Sequence, residues 1–89
     1  MVEHRGEQRQ FVIETEAGMA WVDYRIEADQ LSVLSTHVPE SVRGKGVAAR
    51  LTEAVLNYCR KGNLALKPVC SYTISFLRRS PPDDVEIRW

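Results

Sequence analysis

The 89-residue sequence predicts one α+β domain: an antiparallel three-stranded meander followed by a crossover helix, a parallel fourth strand and a short C-terminal helix. Three observations predict it. Over Met19 to Glu27, Ala20, Val22, Tyr24 and Ile26 alternate with Trp21, Asp23, Arg25 and Glu27, the period of a strand with one buried face. From about Gly46 to Lys61, a polar stripe of Arg50, Glu53, Asn57 and Lys61 lies opposite Val47, Leu51, Ala54, Val55 and Tyr58, the period of an amphipathic helix. Extended segments flank that helix, and a right-handed crossover sets them parallel.

In chain order, polar residues 1–9 read as a flexible N-terminus, leaving 10–89 as the domain. Gln10–Thr15 (QFVIET) is rich in β-formers, and Glu16-Ala17-Gly18 turns the chain into the alternating strand. Ala28-Asp29-Gln30 is a second tight connection, leading into a third strand, Leu31–Val38. There Val33 and Leu34 break the alternation, which predicts either a bulge near Leu34 to Thr36 or burial on both faces. Pro39 ends the strand because it has no N–H to donate. After the helix, Arg60 and Lys61 suit its C-terminal dipole, and Gly62, with Asn63, reads as the cap. Leu64–Val69 is the buried fourth strand. Ser71 is placed to cap a helix over Tyr72–Arg79, which Pro81-Pro82 stops, and Asp83–Trp89 can add an edge strand through Val85 and Ile87.

Composition narrows the function classes. Hydrophobic content of 44% and charged content of 27% are those of a globular chain, and no apolar run is long enough to span a bilayer. The N-terminus MVEHRGEQRQ has no apolar signal core, so the expected location is cytoplasmic, with Cys59 and Cys70 as free thiols. The net charge of zero conceals an asymmetry: residues 1–40 carry three basic against eight acidic side chains, residues 41–79 eight basic against Glu53 alone. A basic half suits a polyanionic ligand, although solvated charge on a small domain gives the same count.

The basic half is centred on Arg43-Gly44-Lys45-Gly46-Val47-Ala48, where two glycines and two cations stand at a helix start. Backbone N–H groups there have no intrahelical acceptor, and the helix N-terminus adds about half a positive charge. Glycine lets the main chain approach a phosphate without a Cβ in the way. The expected ligand is phosphorylated.

Those residues fit R/Q-x-x-G-x-G/A, and the sequence resembles GNAT acetyltransferases, which bind acetyl-CoA with that signature. The succession of strand, Pro39, signature, amphipathic helix, Pro68-Val69-Cys70 and Phe76-Leu77-Arg78-Arg79 is similar to the minimal group of that family over about residues 10–88. The resemblance implies that the pyrophosphate of acetyl-CoA lies on the N–H groups of Val42, Arg43, Gly44, Lys45, Gly46, Val47 and Ala48. The pantetheine arm would run between splayed third and fourth strands, with the thioester beside the backbone of Thr36, His37 and Val38. An amine of unassigned kind would attack the thioester directly within a ternary complex, with no metal taking part.

Departures from the group's pattern bear on proton handling. The group commonly reads H-T-E/D-V-P where this chain has Ser35-Thr36-His37-Val38-Pro39, and full-length relatives place a tyrosine acid near where Phe76 and Leu77 stand here. Two side chains are left as catalytic candidates. Histidine side chains ordinarily exchange protons near neutral pH, so His37 can relay a proton, or it can make one structural hydrogen bond. Cys70 matches the cysteine of the group's P-L-C-P-F segment, and a helix N-terminus beside it favours thiolate. It can line the site, accept an acyl group, serve as an acid, or be a small buried residue. Cys59, Trp21 and Trp89 are read as packing, and Arg78 and Arg79 as phosphate contacts or solvated cations.

Two other classes remain beside the transferase: a coenzyme A or acyl-CoA binding module with weak or no turnover, and an interaction module using the basic half. Nucleic acid is disfavoured because no row of aromatics offers stacking. The expected assembly is a monomer or weak dimer, since an uncovered sheet edge can take a second chain.

Overall fold

The alternating residues form the longest strand of a five-stranded sheet in the computed structural model, which describes residues 1–89. Strands β1 (Glu3–Arg5), β2 (Gln10–Thr15), β3 (Gly18–Glu27) and β4 (Gln30–His37) form an antiparallel run in chain order. Helix α1 (Val47–Gly62) crosses over to β5 (Ala65–Pro68), which lies parallel to β4, and α2 (Ser71–Arg79) comes after it. The α+β expectation, with its meander, crossover and parallel final strand, describes the molecule.

The N-terminus corrects the reading of residues 1–9 as flexible. Glu3–Arg5 pairs antiparallel with Gln10–Val12 and extends the sheet. His4 fixes it there, its ring stacked on Phe11 at 4.3 Å and set edge-on to Tyr58 at 4.7 Å, with Nε2 at 2.5 Å from the Tyr24 hydroxyl. A polar ten-residue stretch hides this because one histidine makes the attachment.

The core lies between α1 and one face of the sheet. Phe11, Ile13, Ala20, Val22, Leu31 and Val33 meet Val47, Leu51, Val55 and Cys59, all buried. Leu51 and Leu66 are 0% exposed, so truncating either to Ala costs about 2–5 kcal/mol. Asn63, at φ 56°, and not Gly62, takes the left-handed position that ends α1, its N–H reaching the carbonyls of Arg60 and Cys59. Asparagine tolerates that conformation better than most residues. At the start of α2 the N-cap is Cys70, one residue earlier than the Ser71 expected. The tail lies beside β5 as expected: Leu66 N–H donates to Glu86 O at 2.9 Å, and Arg88 N–H to Leu66 O at 2.8 Å. Arg88 locks it with a forked pair to Asp29, 3.0 and 3.1 Å.

Two irregularities shape the C-terminal end of β4. The ladder pairs Tyr24 with Val33 but Asp23 with Ser35, so Leu34 is the extra, bulged residue. β5 accompanies β4 only as far as the Val33–Pro68 pair. Beyond it the N–H groups of Val69 and Cys70 both reach Val33 O at 3.0 Å, and the two chains part.

Candidate active site

The segment after β4 is shaped by its own backbone bonds. Pro39 starts a single 3₁₀ turn, Glu40–Val42, in which the Val42 N–H donates to Pro39 O at 3.1 Å and the Arg43 N–H to Glu40 O at 3.2 Å. Lys45 N–H reaches back to Val42 O at 3.4 Å. Gly44 and Gly46 take φ of 84° and 81°, a region in which an L side chain is strained. A Cβ added to either would meet no protein atom within 4 Å. Glycine is therefore demanded by backbone conformation, and the space above it stays open.

That arrangement divides the amides of the turn into two sets. Those of Val42, Arg43 and Lys45 are consumed internally, which corrects the expectation that every N–H from Val42 to Ala48 faces outward. Those of Gly44, Gly46, Val47, Ala48 and Ala49 donate to no protein group. Helix α1 has no side-chain cap at Gly46, so its first-turn donors and its positive dipole end stay free.

These donors border a cleft of about 430 Å³. The turn contributes Val42, Arg43, Gly44 and Gly46 to its wall, and α1 contributes Val47, Ala48 and Ala49. Across from them stand Thr36 and Val38 of the β4 end and Tyr72 of α2. No backbone or side chain of β5 or α2 hydrogen-bonds to the main chain of Leu34 to Val38. The Cys70 thiol stands behind the wall and donates to Thr36 Oγ1 at 3.5 Å. Burial alone would push that thiol up. The Thr36 hydroxyl, the amides of Thr73 and Tyr72 and the Thr73 hydroxyl more than offset it, and hold Cys70 below the usual thiol range. Burial raises the Tyr72 phenol above its usual value, so it stays protonated at neutral pH.

The family model of the GCN5-related N-acetyl-transferases matches residues 10–85. The chain belongs to that family. The fold is also that of a solution structure of a GCN5-like candidate N-acetyltransferase from Staphylococcus aureus. That match has a TM-score of 0.79 and 22% identity, and covers 100% of this chain and 89% of the other.

In this GCN5-related protein the cleft gathers most of the sequence-derived residues. Thr36, Val38, Val42, Arg43, Gly44, Gly46, Val47 and Ala48 line it, while Cys70 touches it only through Thr36. Lys45 turns away, its Nζ 3.3 Å from Glu16 Oε1 on an exposed surface. His37 is not brought into the cleft: its ring stacks on Trp21 at 4.7 Å, on the sheet face opposite α1. The bulge at Leu34 is the reason, because it puts Thr36 in register with Val22 on the helix face and His37 in register with Trp21 on the other. Tyr72 and Ala49 are absent from the sequence candidates. Tyr72 is legible in principle as the phenol in the first turn of the helix after Cys70, but the usual tyrosine place of the family lies a turn further on, near Phe76 and Leu77.

Proposed function

We propose that this chain is an acetyl-CoA-dependent N-acetyltransferase whose cleft holds the pyrophosphate and pantetheine of its co-substrate. The observation that carries the reading is the set of unpaired amides at Gly44 and Gly46 to Ala49, gathered on a helix N-terminus at one open cleft. Family membership supports it independently. A cleft of about 430 Å³ with Val38, Val42, Val47 and Ala48 in its wall suits an apolar arm leaving an anionic group.

Bound acetyl-CoA supplies an activated acyl group on a good sulfur leaving group. The protein's part is to hold and to move protons. Main-chain groups on the open side of the β4 end, at Thr36 to Val38, are free to polarise an acyl oxygen and to hold it in line for attack by an amine. Tyr72, protonated and on the cleft wall, is the donor for the departing sulfur. Cys70 orients Thr36 through the 3.5 Å contact, and no acyl transfer to its sulfur is required.

Amide shifts on titration with coenzyme A test the site. Changes confined to Gly44 and Gly46 to Ala49, weaker with dephospho-CoA, are the expected result; no change at millimolar ligand would remove the reading. Tyr72→Phe is expected to lower kcat by about 10²-fold or more with coenzyme A affinity unchanged. A binding module without turnover is the second reading, favoured by the exclusion of His37 from the cleft. It gives the same shifts with no amine-dependent release of thiol.

A further inference from the structure

On the sheet face opposite α1, four polar side chains converge on Asp23. Gln10 Nε2 donates to Oδ1 at 2.9 Å, and Ser35 Oγ and Trp21 Nε1 donate to Oδ2 at 2.8 and 3.2 Å. His37 Nε2 stands 4.0 Å from Oδ2, with the imidazole more than half exposed. Burial raises the Asp23 carboxyl, and the Gln10, Ser35 and Trp21 donors, with the His37 charge, more than offset this and keep it ionised. The three donors are neutral and no Lys or Arg pairs with the carboxylate, so its charge stays largely uncompensated. Structural carboxylates elsewhere in the molecule, at Asp29 and Asp84, are closed by arginines.

Trp21 is the centre of this surface. Its ring lies under His37, and a groove of about 270 Å³ opens beside it, with Met19, Val38 and Pro39 as apolar walls. Three residues, Thr36, Val38 and Arg43, border both this groove and the larger cleft. The end of β4 is thus a partition reached from one side by the cleft and from the other by an aromatic groove beside an unpaired carboxylate. Arg43 is the one full cation on the groove wall, and its Nε is tied to Val38 O at 3.3 Å.

We infer that the groove beside Trp21 and His37 is the acceptor subsite, and that the acceptor is a primary amine on an apolar or aromatic carbon chain, drawn in as its ammonium form by Asp23. This rests on the transferase reading above and names its substrate class. Trp21, Met19, Val38 and Pro39 take the apolar substituent. The His37 imidazole is placed to receive one proton from the ammonium, with the Asp23 carboxylate beside it to stabilise the imidazolium. The freed amine nitrogen forms the bond to the acyl carbon as the carbon–sulfur bond breaks. Tyr72 gives its proton to the departing sulfur and the second nitrogen proton restores the phenol, so one acyl group and one thiol account for the exchange. A polyamine or a strongly acidic acceptor suits this groove poorly.

The test is titration of the full chain with phenethylamine, with phenethyl alcohol and methylamine as probes lacking the charge and the apolar group. Two indole N–H signals report it, Trp21 at the groove and Trp89 as an internal control on the C-terminal tail beside β5. Saturable movement of the Trp21 signal with phenethylamine alone, Trp89 staying still, is the expected result. Asp23→Asn should weaken phenethylamine about tenfold, and Trp21→Ala should raise its KM by a similar factor, both with coenzyme A affinity unchanged. An unmoved Trp21 signal, or equal binding of the alcohol, overturns the inference even if coenzyme A still shifts Gly44 and Gly46 to Ala49. Failure of those shifts instead, with phenethylamine still moving Trp21, removes the transferase reading and leaves an amine site.

Discussion

Two helices begin beside the same parted strands, and neither has a side-chain cap hydrogen bond. At α1 the first-turn amides face open space above Gly44 and Gly46 and bind nothing in the protein. At α2 the equivalent amides, of Tyr72 and Thr73, act on the chain's own Cys70 sulfur. The same resource, a row of donors with a positive dipole end, is left for a ligand in one place and lowers the pKa of a thiol in the other. Backbone conformation makes the difference. Two glycines at positive φ hold α1 open, whereas Cys70 has ordinary extended dihedrals.

The contrast breaks most severely at Gly46. Gly46→Val forces a β-branched residue into the left-handed region at a cost of about 1–3 kcal/mol and disturbs the amides of Val47 and Ala48. Coenzyme A affinity, measured by calorimetry, should fall at least about 30-fold, with a visibly lower melting temperature. Next in size is the difference between the two thiols. Burial pushes Cys59 up to about 11, while Cys70 sits below the ordinary thiol range. Iodoacetamide at neutral pH should therefore label Cys70 on the order of 10² times faster, read by mass spectrometry. Bound coenzyme A should protect it if Thr36 is covered.

A smaller effect is expected at Thr73, whose buried hydroxyl has no partner at hydrogen-bond distance and whose polar role is toward the Cys70 sulfur. Thr73→Val removes an orphaned group, so stability should hold or rise by up to about 1 kcal/mol. The Cys70 labelling profile should meanwhile move to higher pH. The smallest change belongs to Lys45→Ala. Its ammonium pairs with exposed Glu16, so stability should not move measurably, and coenzyme A affinity should drop only about two- to threefold, an effect that vanishes at high salt.

Much of the fold is legible because it rests on periodicity: alternation in 19–27 and the apolar stripe of α1 are both local patterns. The glycine turn is legible for a similar reason, since positive φ and free helix donors depend on residues next to each other. What escapes a linear reading depends on contacts between distant residues. β1 hangs on His4 meeting Phe11, Tyr24 and Tyr58. Asp23 looks like any solvent-facing acid of β3 until Gln10, Ser35 and Trp21 are seen to share it. For His37 the broken alternation locates the bulge near its true place, yet the face that each later residue occupies depends on the partner strand's register, which no local pattern supplies.

That bulge also bears on how this strand is aligned or transplanted. Pairing of Thr36 with Val22 and of His37 with Trp21 is counted back from the strand's end, so a grafted or shortened version that omits Leu34 keeps both partners and only straightens the ribbon. A version that retains all eight residues but irons the ribbon flat would trade the two compartments, sending the imidazole among the aliphatic side chains and the hydroxyl into solvent. Chain length here is a weaker constraint than parity.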